Sequence, residues 1–344
     1  MQLGIEIDWR QHEFRVPIER VLHAESLGYD AVFTAEGNGS DALTPLGYIA
    51  GLTRRIRLGT AIAPTGSRTP SALAMAFQTI DAMAGGDRVI VGLGSSLPHY
   101  VEAWHGRPWG SPYRRMRDCI GIMRRVFAGD SPLAYDGLEM QLPYRGPGHL
   151  GQAPFAPIMK TNPRLPILMG AGSPTMIRLA AEIADGWIPL GFAPGMMRTY
   201  RPWLVAGAER AGRARSLDGF AIWAHLDIIE HDDVRVPIDR FKAIVARWIG
   251  EWSPGGTQPN FFKEQLVLRG HGAAAQRIAE LWATGHEAEA VHAVPDEFID
   301  DGWLVGPRPR ILERLRRWLD SGATGLIVRT ESDEMLARVA AAVR

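Results

Sequence analysis

The chain has 344 residues, and its 38 lysine and arginine residues balance 38 aspartate and glutamate residues, which disfavours a nucleic-acid or acidic-membrane partner. Its single cysteine, Cys119, excludes an intramolecular disulfide framework and a cysteine-clustered metal site, and it lies in a helical pattern typical of a buried, inert thiol. No apolar run is long enough to span a membrane and the N-terminus does not resemble a secretory signal, so we expect a cytoplasmic protein.

Short β-branched or aliphatic runs alternate with amphipathic segments of helix length, which is typical of βα units and a parallel sheet. In chain order, the patterns predict strands over residues 3–7, 31–34, 56–62, 89–93, 166–169, 186–190, 221–229 and 325–328. They predict helices over residues 17–27, 45–52, 70–83, 113–127, 175–183, 196–211, 236–248, 273–283, 310–321 and 334–343. Eight strands and a closing helix indicate an α/β protein with one closed (β/α)8 TIM-like barrel, a single domain over residues 1–344.

Two connections are too long to be plain loops: residues 95–165 after the fourth strand and residues 230–306 after the seventh. The first contains a helix, a small hairpin around residues 135–142 and a run rich in proline and glycine, and the second contains two helices. Such insertions commonly form substrate walls or lids. One apolar wall could come from Trp248, Trp252, Phe261 and Phe262 and another from Trp104 and Trp109, unless these aromatic residues form insertion cores or a dimer contact.

The segment at residues 166–174 predicts a strand, a tight turn and a helix. The apolar strand ends at Gly170, Ala171 and Gly172, Ser173 stands where a helix N-cap belongs, and Pro174 fits the first helical turn. Free N–H groups at such a helix start, approached closely because the residues are small, form a site for a phosphate or another anion. Since many such turns bind nothing, a bound phosphate and an empty turn both stay open here.

Further candidate residues follow the second and fourth strands, at the barrel face that carries catalytic groups. Glu36 fits a catalytic or ligand-binding carboxylate, or a structural ion pair. The fourth strand ends at Leu93, Gly94 and Ser95, where small residues let a flat ring lie against the backbone. In the following loop, His99 and His105 fit proton donors, substrate-lining residues or solvated side chains. The spacing of histidines and carboxylates predicts no metal site, and the nucleophile motif of the α/β-hydrolases is absent.

An ordered set of motifs resembles the luciferase-like monooxygenase superfamily, and more closely its branch of coenzyme F420-dependent oxidoreductases related to methylenetetrahydromethanopterin reductase and F420-dependent glucose-6-phosphate dehydrogenase. The resemblance implies a TIM-like barrel with a cofactor across its C-terminal face. The motifs occupy residues 55–60, 89–94, 102–106, 135–137, 170–173, 184–187, 305–307 and 323–328.

The resemblance also implies roles for individual residues. Gly170, Ala171, Gly172 and Ser173 would bind the cofactor phosphate, the main chain of Glu36 would meet the pyrimidine edge of the ring, and Ala61 and Ile62 would form a non-proline cis peptide behind the ring. Gly37 and Ser95 stand where sugar-phosphate dehydrogenases of this branch have a histidine and a glutamate. Glucose 6-phosphate is therefore not expected as the substrate.

These patterns lead to three functional hypotheses. The first is hydride transfer between C5 of coenzyme F420 and a small carbonyl, imine, activated alkene or alcohol, with His105 as the first candidate for proton transfer and His99, Glu36 and Ser95 as the others. The second is an FMN-dependent monooxygenase that uses dioxygen, and the third is a non-catalytic flavin-binding barrel. The resemblance also implies a homodimer.

Overall fold

A computed structural model describes residues 1–213, 216–251 and 260–344, and its central feature is a closed parallel barrel. The strands within the described residues are β1 (Gln2–Glu6), β2 (Ala31–Thr34), β3 (Arg57–Thr60), β4 (Ala63–Pro64), β5 (Val89–Gly94), β6 (Tyr135–Asp136), β7 (Gln141–Leu142), β8 (Ile167–Ala171), β9 (Gly186–Pro189), β10 (Ala221–Glu230), β11 (Leu304–Gly306) and β12 (Gly325–Arg329). The barrel runs in the order β1, β2, β3, β5, β8, β9, β10, β12, and β12 pairs with β1 to close it. The predicted fold class is confirmed.

Helices surround the barrel, and within the described residues none is long and apolar enough to cross a membrane. They are α1 (Ile18–Ser26), α2 (Thr44–Leu52), α3 (Pro70–Met83), α4 (Pro112–Ala128), α5 (Pro174–Ile183), α6 (Met197–Arg210), α7 (Arg235–Glu251), α8 (Phe261–Leu268), α9 (Gly272–Ala283), α10 (Glu287–His292), α11 (Asp296–Gly302), α12 (Arg308–Leu319) and α13 (Asp333–Val343). A single π-helical turn, Tyr100–Trp104, follows β5.

Two aromatic side chains, Phe33 and Trp223, fill the barrel interior with their ring centroids 5.1 Å apart. Neighbouring strands leave room for these rings by carrying glycine. A methyl group on Gly4 would lie 2.7 Å from the Phe33 ring, one on Gly59 would lie 2.5 Å from the same ring, and one on Gly325 would lie 2.6 Å from the Trp223 ring. Because protein interiors are close-packed, these clashes explain the glycines, and the interior is a solid core rather than a channel.

The insertion after β5 contains the predicted hairpin, formed by β6 and β7. The carboxylate of Asp118 on α4 holds this hairpin by accepting hydrogen bonds from the backbone N–H groups of residues 138, 139 and 140. In the same insertion, the Trp104 side chain is largely exposed and Trp109 lies beneath the Arg115 guanidinium, 5.4 Å from it.

The insertion after β10 has an apolar core of its own, made by helices α7 to α11 together with β11. Trp248 and Phe262 pack against each other there, with ring centroids 4.4 Å apart. Their packing supports the interpretation of these two aromatic residues as insertion core rather than as a substrate wall. Phe261 is half-buried, and Trp252 lies outside the described residues.

Candidate active site

At the carboxyl ends of β5 and β8, two glycines leave room for the side chain of Ile62. A methyl group on Gly94 would lie 2.6 Å from Cδ1 of Ile62, and one on Gly170 would lie 3.0 Å from Cγ2 of the same residue. The short strand β4 pairs with β5 and so brings the segment of Ala61 and Ile62 against Leu93 and Gly94. The peptide bond between Ala61 and Ile62 is cis, as the resemblance implied. Residues from three separate segments thus meet at one place, although their roles toward a cofactor stay predictions.

The turn between β8 and α5 has the predicted form of a capped helix start. Ser173 has extended backbone angles and its side chain accepts a hydrogen bond from the N–H of Met176. Two elements hold this turn from the sides: the indole N–H of Trp187 donates to the carbonyl of Ala171 over 2.8 Å, and the buried Gln265 from α8 packs near Gly172. The start of α5 therefore has the form that suits an anion at a helix N-terminus, and its role toward a phosphate stays a prediction.

Glu36 is engaged in contacts with the protein itself. Both of its carboxylate oxygens lie within 2.8 Å of the Arg68 guanidinium, and one of them also accepts a hydrogen bond from the N–H of Ala42. Asp41 caps the start of α2 by accepting hydrogen bonds from the backbone of residues 43 and 44. This arrangement favours the structural ion pair among the interpretations of the Glu36 side chain and leaves its main chain available to a ligand.

Sequence reasoning missed a cluster of ionisable residues at the barrel mouth. Alternate residues of a strand face the same side, so His225 and Asp227 follow Trp223 on the inner face of β10, and Arg329 lies opposite Asp227 in the register with β12. Nη2 of Arg329 is 2.6 Å from the Asp227 carboxylate. On β1, Oε2 of Glu6 is 3.0 Å from Nε2 of His225 and 3.6 Å from Nη1 of Arg329. Together these four residues form what we call the mouth cluster.

The mouth cluster contains buried polar atoms without a hydrogen bond inside the protein: Oε2 of Glu6, Nε2 of His225 and Nε of Arg329. The contact between Glu6 and His225 has ion-pair distance without the alignment of a hydrogen bond. Burial raises the pKa of Glu6, but the charges of Arg329 and His225 outweigh burial and hold the pKa below its ordinary value of 4.5. Buried polar atoms without a hydrogen bond are uncommon in native proteins, which makes the mouth cluster a candidate site for a polar ligand.

The predicted proton donors lie on or beside the π-helical turn. His99 is exposed as a whole, but its ring contacts Tyr100. Partial burial of the ring lowers the pKa of His99. His105 is half-buried, and its Nε2 has no hydrogen-bond partner in the protein. The Ser95 hydroxyl is 3.5 Å from the carbonyl of Ser96. The catalytic roles of these three side chains stay predictions.

Two further groups bear on the chemistry. Burial raises the pKa of the Cys119 thiol to about 12, so this thiol is unsuited to act as a nucleophile. Among the described residues, no group of three or more histidine, cysteine, aspartate or glutamate side chains is arranged to hold a metal ion.

A closed (β/α)8 barrel with a capped helix start and a cluster of ionisable side chains at one face is an architecture common among enzymes. The luciferase-like monooxygenase family matches residues 1–325. The chain belongs to this family and is an oxidoreductase.

Named relatives cover almost the whole chain. A Mycobacterium tuberculosis protein with a provisional name as a coenzyme F420-dependent oxidoreductase is 37% identical over 100% of this chain and 99% of its own length. The 5,10-methylenetetrahydromethanopterin reductase of Archaeoglobus fulgidus is 27% identical over 95% of this chain and 92% of its own length. The structure of the coenzyme F420-dependent tetrahydromethanopterin reductase from Methanopyrus kandleri superposes with a TM-score of 0.75 over 98% of this chain and 96% of that one, at 21% identity.

Proposed function

We propose that the protein is a coenzyme F420-dependent oxidoreductase that transfers a hydride between the deazaflavin C5 and a small organic substrate, which is a carbonyl, imine, activated alkene or alcohol. The observation that carries the proposal is the presence, at one end of the barrel, of an apolar surface made by Ile62 against Gly94 and Gly170 and of a cluster of buried ionisable side chains. A flat ring needs the first, and a reaction that moves a proton together with a hydride needs the second.

The residues present fit such a cofactor. Gly94, Gly170 and Ile62 offer a close-packed apolar surface to one face of a ring, and the N–H groups at the start of α5 suit a phosphate. When bound in its reduced form, F420 supplies a hydride to an electrophilic carbon. The barrel residues orient the ring and exclude water.

Proton exchange is assigned to the mouth cluster. Glu6 and His225, whose Oε2 and Nε2 are 3.0 Å apart, are the pair that would exchange a proton with the substrate, and the charge of Arg329 would balance the negative charge that remains when the proton leaves. During oxidation of an alcohol, this pair would take up the substrate proton. In the reverse direction the same pair returns that proton to the substrate oxygen.

The names of the relatives favour F420 over FMN. One of the two sequence relatives described above is named as a coenzyme F420-dependent oxidoreductase, and the other as a 5,10-methylenetetrahydromethanopterin reductase. Neither is named as a monooxygenase. The phosphate turn suits both cofactors, so the choice between them must be made by experiment.

Binding of the two cofactors tests the proposal. We expect F420 to bind the purified protein with a dissociation constant in the micromolar range, measured by the quenching of F420 fluorescence. FMN should bind at least about tenfold more weakly. Gly94→Ala pushes Ile62 toward the ring and should weaken F420 binding about tenfold, whereas Gly272→Ala, where a methyl group meets nothing closer than 4.0 Å, should leave it unchanged. Equal or tighter binding of FMN would contradict the proposal.

A further inference from the structure

A cavity of about 760 Å3 opens between the loop that follows β1 and the loop that follows β2. Its walls are mostly apolar and include Trp9, Phe14, Val16 and Pro45. The volume is within the range of small-molecule sites, and aromatic walls with a few polar groups are typical of them. The loops belong to the barrel face that carries the mouth cluster.

Trp9 is the wall residue held most firmly by its surroundings. Its indole lies on Gly37, where a methyl group would be 2.3 Å from Cη2, and a methyl group on Gly39 would meet the Trp9 carbonyl oxygen at 2.1 Å. On another side the ring of Tyr100 meets the indole edge to face, with centroids 6.4 Å apart. Because residue 37 is glycine, the indole of Trp9 has space to lie there, and the position of the indole in turn limits the volume of the cavity.

The charged groups that line the cavity are already balanced within the protein. Arg10 donates to the Asp8 carboxylate over 2.8 Å, and Asp41 accepts two backbone hydrogen bonds and faces the Arg68 guanidinium at 3.4 Å. A phosphate or carboxylate on a ligand would have to displace one of these contacts. The lining thus favours an uncharged ligand over an anionic one.

One lining residue of the cavity, Arg10, links it to the mouth cluster through its charge. Asp8 and Arg10 follow Glu6 at alternate positions just beyond the end of β1, and the charge of Arg10 helps to lower the pKa of Glu6. We propose that the cavity binds the aromatic or alicyclic ring of an uncharged ketone or the matching alcohol, and that Trp9 sets the size of the ring it accepts. This inference rests on the proposed function because it names the substrate class of the same site.

The reaction balances with the components named. The carbonyl carbon accepts a hydride, which carries two electrons, from reduced F420, and the carbonyl oxygen accepts one proton from the pair of Glu6 and His225. The ketone is reduced to a secondary alcohol and the cofactor is oxidised by two electrons.

Ligand binding to the cofactor-free protein tests the cavity separately from the cofactor. In saturation-transfer NMR, acetophenone and cyclohexanone should give strong signals, while acetone and pyruvate should give weak ones. Trp9→Ala should weaken the acetophenone signal, and Tyr144→Ala, which removes an exposed aromatic ring outside the cavity, should leave it unchanged. Loss of the signal in both variants, or in neither, would overturn the proposal.

Turnover then tests specificity. With reduced F420, the ratio of kcat/KM for acetophenone to that for acetone should fall about tenfold or more in Trp9→Ala, because the lost contact acts on the ring and not on the carbonyl. Gly37→Ala pushes the indole into the cavity and should lower the same ratio, with Gly272→Ala as the matched control. Equal loss for both ketones, or a preference for pyruvate, would overturn the proposal. Failure of F420 to bind would instead reject the proposed function and leave the NMR result to judge the cavity.

Discussion

At the scale of single residues, Glu6 combines the features that a proton-exchanging group needs. Its side chain is only 8% exposed, one oxygen has no hydrogen bond within the protein, and His225 and Arg329 approach that oxygen from other strands, at 3.0 and 3.6 Å. A group that served only the stability of the barrel would be expected to have its hydrogen bonds satisfied. The oxygen without a hydrogen bond is therefore the atom to which we assign the proton exchange with a substrate.

Glu6→Gln keeps the shape of the side chain and removes its charge. We expect kcat to fall about 10²-fold or more, while the dissociation constant of F420 changes little, since the carboxylate acts on the substrate proton. Steady-state kinetics with a fixed ketone and fluorescence titration of F420 measure the two effects. Glu13→Gln, at an exposed position beyond the mouth cluster, is the control. A Glu6→Gln enzyme with full kcat would rule out the assigned role.

Glu6→Gln should also change how the stability of the protein depends on pH, and the lowered pKa of Glu6 determines the direction of that change. The folded-state pKa of Glu6 lies below the unfolded value near 4.5, so its carboxylate contributes stability that is fully present above that value and is lost as the pH falls through the folded pKa. The difference in Tm between the natural protein and Glu6→Gln should therefore be greatest at neutral pH and shrink in acid. A difference that grows in acid would show that the sign is wrong.

At the scale of elements, the proposed phosphate site at the start of α5 can be tested separately from the capping of the helix. Ser173 caps this helix as Ser332 caps α13, since each serine side chain accepts a hydrogen bond from the N–H three residues later. Replacing either serine with alanine should cost about 1 kcal/mol of stability, measured by urea unfolding. Only Ser173→Ala should also weaken F420 binding, because only this cap lies at the phosphate turn. Equal effects of the two variants on F420 binding would place the phosphate elsewhere.

Local sequence predicted the elements whose ends carry strong signals. The bounds of β2 and α3 agree with their predictions, and α3 begins with a threonine cap followed by Pro70. The patterns did not predict β4, β11, α8, α10, α11 or the π-helical turn, because these elements are short and their positions depend on packing within the insertions. A run of eight residues such as α8 has too little periodicity to be identified alone.

The mouth cluster was missed for a different reason. Glu6, His225, Asp227 and Arg329 lie on β1, β10 and β12, which are adjacent only because the last strand of the barrel pairs with the first. The cluster does have a signal in the sequence, which is the alternation of inward-facing and outward-facing residues along a strand. Each member lies two positions after a residue that faces the barrel interior, as Glu6 follows Gly4 and His225 follows Trp223. Assigning the inward-facing positions of each predicted barrel strand would have identified the cluster, whereas the spacing of motifs along the chain could not.

At the scale of the whole molecule, one side of the barrel has a surface suited to another protein chain. The outer faces of helices α2 and α3 carry Leu52, Met75 and Met83, which are between 45% and 64% exposed. These two helices contain a single charged residue, Asp81, and its side chain is buried. A paired helix face without exposed charge is unusual on a water-facing surface, and depletion of charge is typical of interface cores.

We therefore expect the protein to form a homodimer through this face. Met75→Glu would place a charge in the centre of an isologous interface twice, once from each copy, and should convert the dimer to a monomer without unfolding it. Sedimentation-velocity ultracentrifugation measures the change, and circular dichroism checks the fold. Val236→Glu, which adds the same charge at a similarly exposed apolar position on α7, should leave the dimer intact. A natural protein that sediments as a monomer, or a Met75→Glu variant that stays dimeric, would mean that this face does not join two copies of the chain.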